Sequence, residues 1–209
     1  MQTIDVVPLF SKPLFQTYMN LTEEESLSLT SFYENEEYEK SSNKRNALSV
    51  SKNKKILNKK ELFTIKNKLL TTFTSIKNHF LSIKNNFVIT TSWLVKAEMN
   101  ENSEYHSHTN CLFSGVYYHK VPLYTSALSF KNSNIELISV EKEKMNPLNS
   151  DGWQVFPKRD LLIFFPSSLE HKVEQVDNLS YTRYSLAFNL MPTGELGMND
   201  SSLKIVINE

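Results

Sequence analysis

Three histidines and one arginine stand where they could act together. His106 and His108 flank a single serine, and the apolar run Leu112-Phe113-Ser114-Gly115-Val116-Tyr117-Tyr118 follows. In an extended segment residues i and i+2 point to one side, so both imidazoles can address one ion. His171 follows a second apolar run, Leu161–Phe165, and opens another strand-like stretch. Neighbouring strands of a sandwich would bring it opposite the pair. Imidazole nitrogen suits Fe, Zn, Cu and Ni alike. The pattern points to a metal site; three unrelated turn histidines are the other reading. His79 and His119 read as structural.

A non-haem Fe(II) site ordinarily takes two histidines and one carboxylate. Here the short motif is His-x-His, and neither Glu104 nor Glu170 occupies the carboxylate slot. Three neutral imidazoles leave the ion's charge uncompensated, which calls for an anionic co-substrate. Arg183 supplies the means to hold one, because a guanidinium grips a carboxylate through two parallel hydrogen bonds. Ser185, two residues on, points to the same side of a strand. Arg-x-Ser alone is common, and a surface ion pair is the competing reading.

Composition narrows the class. The 209 residues are 40% hydrophobic with a formal net charge of zero. That suits one sizeable core and gives no bulk electrostatic footprint for nucleic acid. The single cysteine, Cys111, forms no intramolecular disulfide and fits a reducing, cytoplasmic setting. No stretch reaches the ~18 apolar residues of a membrane helix. Residues Met1 to Asp5 lack signal-peptide character. Only four glycines occur, and no phosphate-cradling glycine motif is present.

The elements that must position the site follow from periodicity. Residues 3–18, broken by Pro8 and Pro13, read as an extended arm or edge strand. Thr22 with Glu25 gives a capping box, so a short helix starts there. The acidic run Glu34 to Glu39 reads as a solvated helix face. Residues 40–60, rich in Lys, Ser and Asn, read as a mobile polar excursion outside the sandwich. Leu62, Ile65, Leu69, Phe73, Ile76 and Phe80 predict an amphipathic helix over about 60–84.

Strands are expected at Phe87–Ala97, Cys111–Tyr118, Ser126–Lys131, Ile135–Val140, Trp153–Phe156, Leu161–Phe165, His171–Val176, Arg183–Leu190 and Leu203–Ile207. The expectation is one domain over 1–209, mainly β with flanking helices. Residues 1–84 form an arm and helical support; 85–209 form a cupin-like jelly roll, a double-stranded β-helix.

At these residues the chain resembles the 2-oxoglutarate and Fe(II)-dependent oxygenases of the prolyl-4-hydroxylase-like branch, found in bacteria and marine phages. The matching blocks are His106-Ser-His108, Leu112 to Tyr118, Val121-Pro122, Asp160 to Ser167, Leu169-Glu-His171-Lys-Val173 and Arg183 to Asn189. They span roughly residues 90–190, with a weaker echo at Val7-Pro8-Leu9-Phe10. The resemblance implies a double-stranded β-helix holding Fe(II) on His106, His108 and His171. It implies 2-oxoglutarate gripped at its distal carboxylate by Arg183 and Ser185, with Tyr117 (or its neighbour Tyr118) as a further contact. The implied reaction consumes O2, releases succinate and CO2, and oxidises an unidentified small molecule or protein side chain. Two alternatives stay open: a three-histidine cupin-like metalloprotein that does not use 2-oxoglutarate, and a non-catalytic jelly-roll binding module.

Overall fold

The computed structural model describes residues 3–133, 138, 140–175, 177 and 180–207. Within them the strands are β1 (Phe15–Tyr18), β2 (Tyr38–Lys40), β3 (Ser49–Ser51), β4 (Asn86–Ala97), β5 (Phe113–Lys120), β6 (Leu128–Lys131), β7 (Gly152–Val155), β8 (Leu161–Pro166), β9 (His171–Val173), β10 (Arg183–Leu196) and β11 (Leu203–Ile205). The larger sheet runs β1-β8-β5-β10-β4-β3-β2, with β11 beside β10; the smaller runs β7-β6-β9. The named strand pairs are antiparallel. This is the expected jelly roll.

The larger sheet has two buried faces, and alternation decides which side chain serves which. Phe113, Tyr117, Leu162, Phe164, Leu186 and Phe188 join one core with Leu29 and Tyr33 of helix α1 (Glu23–Asn35) and Ile65, Leu69, Phe73 and Ile76 of helix α2 (Phe63–Ile76). Tyr118, Ile163 and Phe165 join Leu128, Phe130 and Val155 of the smaller sheet. The capping box forms as expected: Thr22 Oγ1 accepts from the Glu25 N–H at 3.2 Å, and Glu25 Oε2 accepts from the Thr22 N–H at 2.8 Å.

Several expectations change. The helix over 60–84 begins in a tight turn at Lys60–Leu62 and ends in a wider turn at Lys77–Leu81, stopped by Ser82 at φ 52. Phe80 leaves the apolar stripe there and lies exposed, its ring 5.8 Å from Phe15. The acidic run is not one helix face: α1 stops at Asn35, and β2 takes Tyr38–Lys40.

Residues 40–60 are not an excursion outside the sandwich. β3 pairs with β4 at Ser49↔Lys96 and Val50↔Val95, and Ala47, Leu48, Ile56 and Leu57 are buried. Serines satisfy the backbone: Ser51 Oγ accepts from the Leu94 N–H and Ser92 Oγ from the Leu57 N–H, both at 3.0 Å. Two of the lysines pair with the acidic run, Lys52 with Glu37 and Lys54 with Glu39, each at 2.9 Å. The strand expected over Ile135–Val140 falls on residues outside the described ones, Ile138 and Val140 aside, and Val176 is likewise outside. Among the described residues, no helix is long and apolar enough to cross a membrane.

Gly115 is needed where β5 meets β10. It lies opposite Phe188, and a Cβ there would fall 2.6 Å from Phe188 Cε2. Phe188 is fully buried against Phe164 at 5.6 Å and cannot swing away. Gly115→Ala is therefore expected to lower unfolding free energy by about 2 kcal/mol, the usual cost of overpacking. In urea titrations the double variant with Phe188→Leu should lose less than the sum of the two single changes; simple additivity would refute the clash.

Candidate functional site

The segment leaving β4 crosses from the larger sheet to the smaller. Asn102 bridges to Ala47, and the Ser103 N–H then donates to Val173 O at 3.1 Å. His106 and His171 exchange both backbone bonds, N–H to O, at 3.0 and 2.9 Å. The His108 N–H donates to Ser167 O at 3.0 Å. Residues 103–108 thus lie antiparallel along β9, which fixes His106 opposite His171 and places His108 on the same side. The ring centroids are 4.4 to 5.2 Å apart, and one nitrogen from each ring lies within 4.8 Å of the others.

Backbone carbonyls orient two of the three rings. His106 Nδ1–H donates to Glu104 O and His171 Nδ1–H to Leu169 O, both at 2.8 Å. A carbonyl only accepts, so Nδ1 carries the hydrogen in each ring and Nε2 is left bare for an ion. Burial pushes His108 down to about 4, and the neighbouring His106 adds to the shift. Burial pushes His171 down to about 3, against the Leu169 carbonyl bond. Trp93 at 5.6 Å from His108 and Phe165 at 4.8 Å from His171 supply the apolar surroundings. Both imidazoles are neutral at pH 7, the form that binds metal. Among the described residues no carboxylate joins the cluster. Glu104 turns outward to Lys44, at 2.6 Å.

Arg183 opens β10 and is 1% exposed. Its Nη1 donates to Ser126 O at 2.9 Å and to Ser126 Oγ at 2.8 Å, and its guanidinium stands 5.7 Å from the Tyr118 ring centroid. Its Nε–H has no partner, and among the described residues no carboxylate pairs with it. Ser185, 3% exposed, follows on the same face. Arg183, Ser185, Tyr118, Trp93 and the three histidines line one cavity of about 140 Å³. Three imidazole nitrogen donors and a buried cation with no carboxylate partner among the described residues share an apolar chamber. This donor set fits a divalent ion together with a short dianion.

Tyr117, expected to touch the co-substrate, does not face this chamber. It lies on the helical side of β5, where its hydroxyl donates to Asp160 Oδ1 at 2.7 Å. Tyr118 takes the cavity position instead. His119 shares Tyr117's face; its Nε2 is 2.9 Å from Thr30 Oγ1, and its ring stacks on Tyr33 at 5.7 Å. Burial pushes it down to about 4. His79 is exposed and bonded to Ser75 O. Both are outside the cluster, as expected. Ser126 and Trp93 were not anticipated as site residues: a serine before a strand and a tryptophan within one carry no motif, and only cross-sheet packing brings them here.

Fold and site together define a class: a jelly roll with three histidines where residues 103–108 lie along the smaller sheet, and a buried arginine lining the same cavity. The family profile described as "Putative 2OG-Fe(II) oxygenase" matches residues 91–189. That segment runs from β4 into β10 and contains every residue named in the cavity's polar lining, so it is in its site-bearing region that the chain is similar to this family.

No curated protein sequence matches the chain. Solved structures match in fold. A prolyl-4-hydroxylase from Pseudomonas putida is 12% identical, with TM-score 0.60 over 89% of this chain and 96% of that one. An oxidoreductase of the 2OG-Fe(II) oxygenase family from Burkholderia pseudomallei is 11% identical, with TM-score 0.61 over 86% and 84%. HygX from Streptomyces hygroscopicus, bound to nickel, 2-oxoglutarate and hygromycin B, is 10% identical, with TM-score 0.62 over 87% and 84%.

The depressed histidines set an acid limit. Between their folded values near 3 to 4 and the ordinary value near 6.5, the unfolded chain binds more protons. Stability of the metal-free protein should hold above pH 6.5 and fall as pH drops toward 4. Urea midpoints at pH 7.5 and 5.0 check this: the pH 5.0 midpoint should be lower, and His119→Gln should shrink the difference. Equal midpoints in the parent would contradict the neutral, buried state.

Proposed function

We propose that the protein is a non-haem Fe(II)- and 2-oxoglutarate-dependent dioxygenase. One observation carries the reading: a buried guanidinium without a carboxylate partner among the described residues faces the same small cavity as three imidazoles. His106, His108 and His171 would hold the ion through their inward nitrogens, with the Glu104 and Leu169 carbonyls fixing the first and last rings. Arg183 would take the distal carboxylate of 2-oxoglutarate, and Ser185 would add a hydroxyl donor. Bound Fe(II) and 2-oxoglutarate supply the oxidising chemistry, in which O2 is consumed, succinate and CO2 are released, and a substrate C–H bond is hydroxylated. Tyr118, Trp93, Leu128 and Phe165 keep the chamber apolar, which limits water and strengthens the charge interactions inside it.

The substrate is a small molecule or a protein side chain that reaches the cavity beside His106, the exposed member of the triad. Solved relatives show both kinds: HygX holds hygromycin B, and a Trichoplax adhaerens prolyl hydroxylase holds a peptide fragment of hypoxia inducible factor. We place the protein in a reducing, cytoplasmic compartment on its free cysteine, Cys111. Nucleic acid is not among the proposed partners, since the chain carries no net charge.

The all-imidazole ligand set favours one competing reading, a three-histidine metalloprotein that uses no 2-oxoglutarate. Release of succinate from 2-oxoglutarate upon Fe(II) addition separates the two, because uncoupled turnover needs no known substrate. Retained metal without turnover or 2-oxoglutarate binding would decide for the competitor.

Two sets of variants test the assignments. His106→Ala, His108→Ala and His171→Ala should each abolish tight Mn(II) binding in calorimetry, while His79→Ala leaves it within a factor of about two; tight binding in all three would remove the triad. Arg183→Ala should weaken 2-oxoglutarate by roughly 3 kcal/mol, more than a hundredfold, at unchanged metal affinity. Arg183→Lys should recover only part, since an ammonium lacks the two-bond fork. Anaerobic titration of the metal-to-ligand absorption band reads this directly, and parent-like affinity in Arg183→Ala would place the anchor elsewhere.

A further inference from the structure

Ser126 engages Arg183 in a way that leaves only one edge of the guanidinium available. Nη1 carries two hydrogens, and Ser126 offers it two acceptors, the backbone oxygen at 2.9 Å and Oγ at 2.8 Å. Both Nη1 hydrogens are then committed. The donors left are Nε–H, which has no partner, and those of Nη2. Nε and Nη2 form one side of the planar fork, and that side suits a bidentate carboxylate. Ser126 is 3% exposed, so water does not compete for these contacts.

The same serine is tied to the metal end of the cavity. It immediately precedes the β6 ladder with β9: the Glu174 N–H donates to Ala127 O at 2.9 Å, Leu128 pairs with Val173, and Phe130 pairs with His171. A strand rises about 3.4 Å per residue, so the ladder holds Ser126 on the order of 13 Å from the backbone level of His171. β6 therefore acts as a ruler, with the histidine cluster at one mark and the arginine clamp at the other.

We infer that Ser126 is a positioning residue which, by fixing the exposed edge and the reach of the Arg183 guanidinium, selects the length of the dicarboxylate co-substrate. This rests on the 2-oxoglutarate reading given above. Without the Oγ acceptor one Nη1 hydrogen is released and the guanidinium can turn about its Cδ–Nε bond. The site then tolerates a chain one methylene longer, at the expense of the five-carbon acid.

Calorimetry on the Mn(II)-loaded full-length protein tests this with 2-oxoglutarate, 2-oxoadipate and pyruvate, the last lacking a second carboxylate. The parent should prefer 2-oxoglutarate to 2-oxoadipate at least tenfold. Ser126→Ala should weaken 2-oxoglutarate roughly tenfold, as expected for one hydrogen bond to a charged group, and cut the preference below about threefold. Affinities for pyruvate and for Mn(II) should stay within a factor of about two. Ser126→Cys, nearly isosteric with a weaker acceptor, should move the preference in the same direction and serves if the alanine variant is unstable. An unchanged preference, or equal weakening of pyruvate, overturns the role of Ser126 while leaving the Arg183 anchor intact. Failure of the parent to bind any of the three acids overturns both readings together.

Discussion

A buried guanidinium with no carboxylate partner among the described residues is the constraint around which this site is arranged. Removing such a cation from water costs several kcal/mol unless charge and hydrogen bonds return it. Ser126 gives Arg183 two neutral acceptors, and Tyr118 gives it the face of a ring, but neither carries charge. Burial accordingly pulls the Arg183 pKa below its ordinary value. The cost is tolerated because the surrounding strands are held by the two cores on either side of the larger sheet. A ligand that brings a carboxylate restores what burial removed, so occupancy raises stability by mass action.

The larger sheet works as a partition between support and chemistry. Along β5, Tyr117 and His119 face the helices, where Asp160 and Thr30 satisfy them. Ser114, Val116 and Tyr118 face the cavity. Along β10, Arg183, Ser185 and Ala187 look inward, while Tyr184, Leu186 and Phe188 pack toward α1 and α2. Gly115 belongs to the support side although it sits inside a site motif: its missing side chain lets Phe188 cross β5. A slip of one residue would exchange the two sets and bury Tyr117 and His119 in the cavity.

How much of this the sequence disclosed depended on whether a signal was local. The Thr22–Glu25 cap and the apolar stripe of α2 are written in adjacent turns, and both formed. His106 and His108 were legible because a spacing of two means one side in any extended segment, and His171 because an apolar strand ended just before it. The face of β5 was not legible, since both Tyr117 and Tyr118 are buried, and only the Tyr117 bond to Asp160 and the place of Tyr118 in the cavity lining tell them apart. Residues 40–60 misled for a different reason. Lys52 and Lys54 are committed to Glu37 and Glu39 across a strand pair, and the four apolar anchors that bury the segment are too few to set a period. Ser126 had no signal, because its contact with Arg183 joins strands of different sheets.

Among the described residues no carboxylate stands beside the three imidazoles, and this governs how the cavity can be filled. With three imidazoles, a divalent ion would stand uncompensated in an apolar chamber that already holds Arg183. Like charges disfavour one another most where the dielectric is low. An ion entering alone therefore works against the guanidinium, and a dianion entering alone lacks its chelating partner. On the proposed function each would raise the affinity of the other by the same factor, as linkage requires. A carboxylate at position 108 would weaken that dependence, but it would have to be buried beside Trp93, where an imidazole sits neutral and a carboxylate would sit charged. On the proposed function, the apolar packing that drives His108 toward neutrality also disfavours a charged carboxylate in its place, so the chamber would take its negative charge from a ligand and not from its own wall.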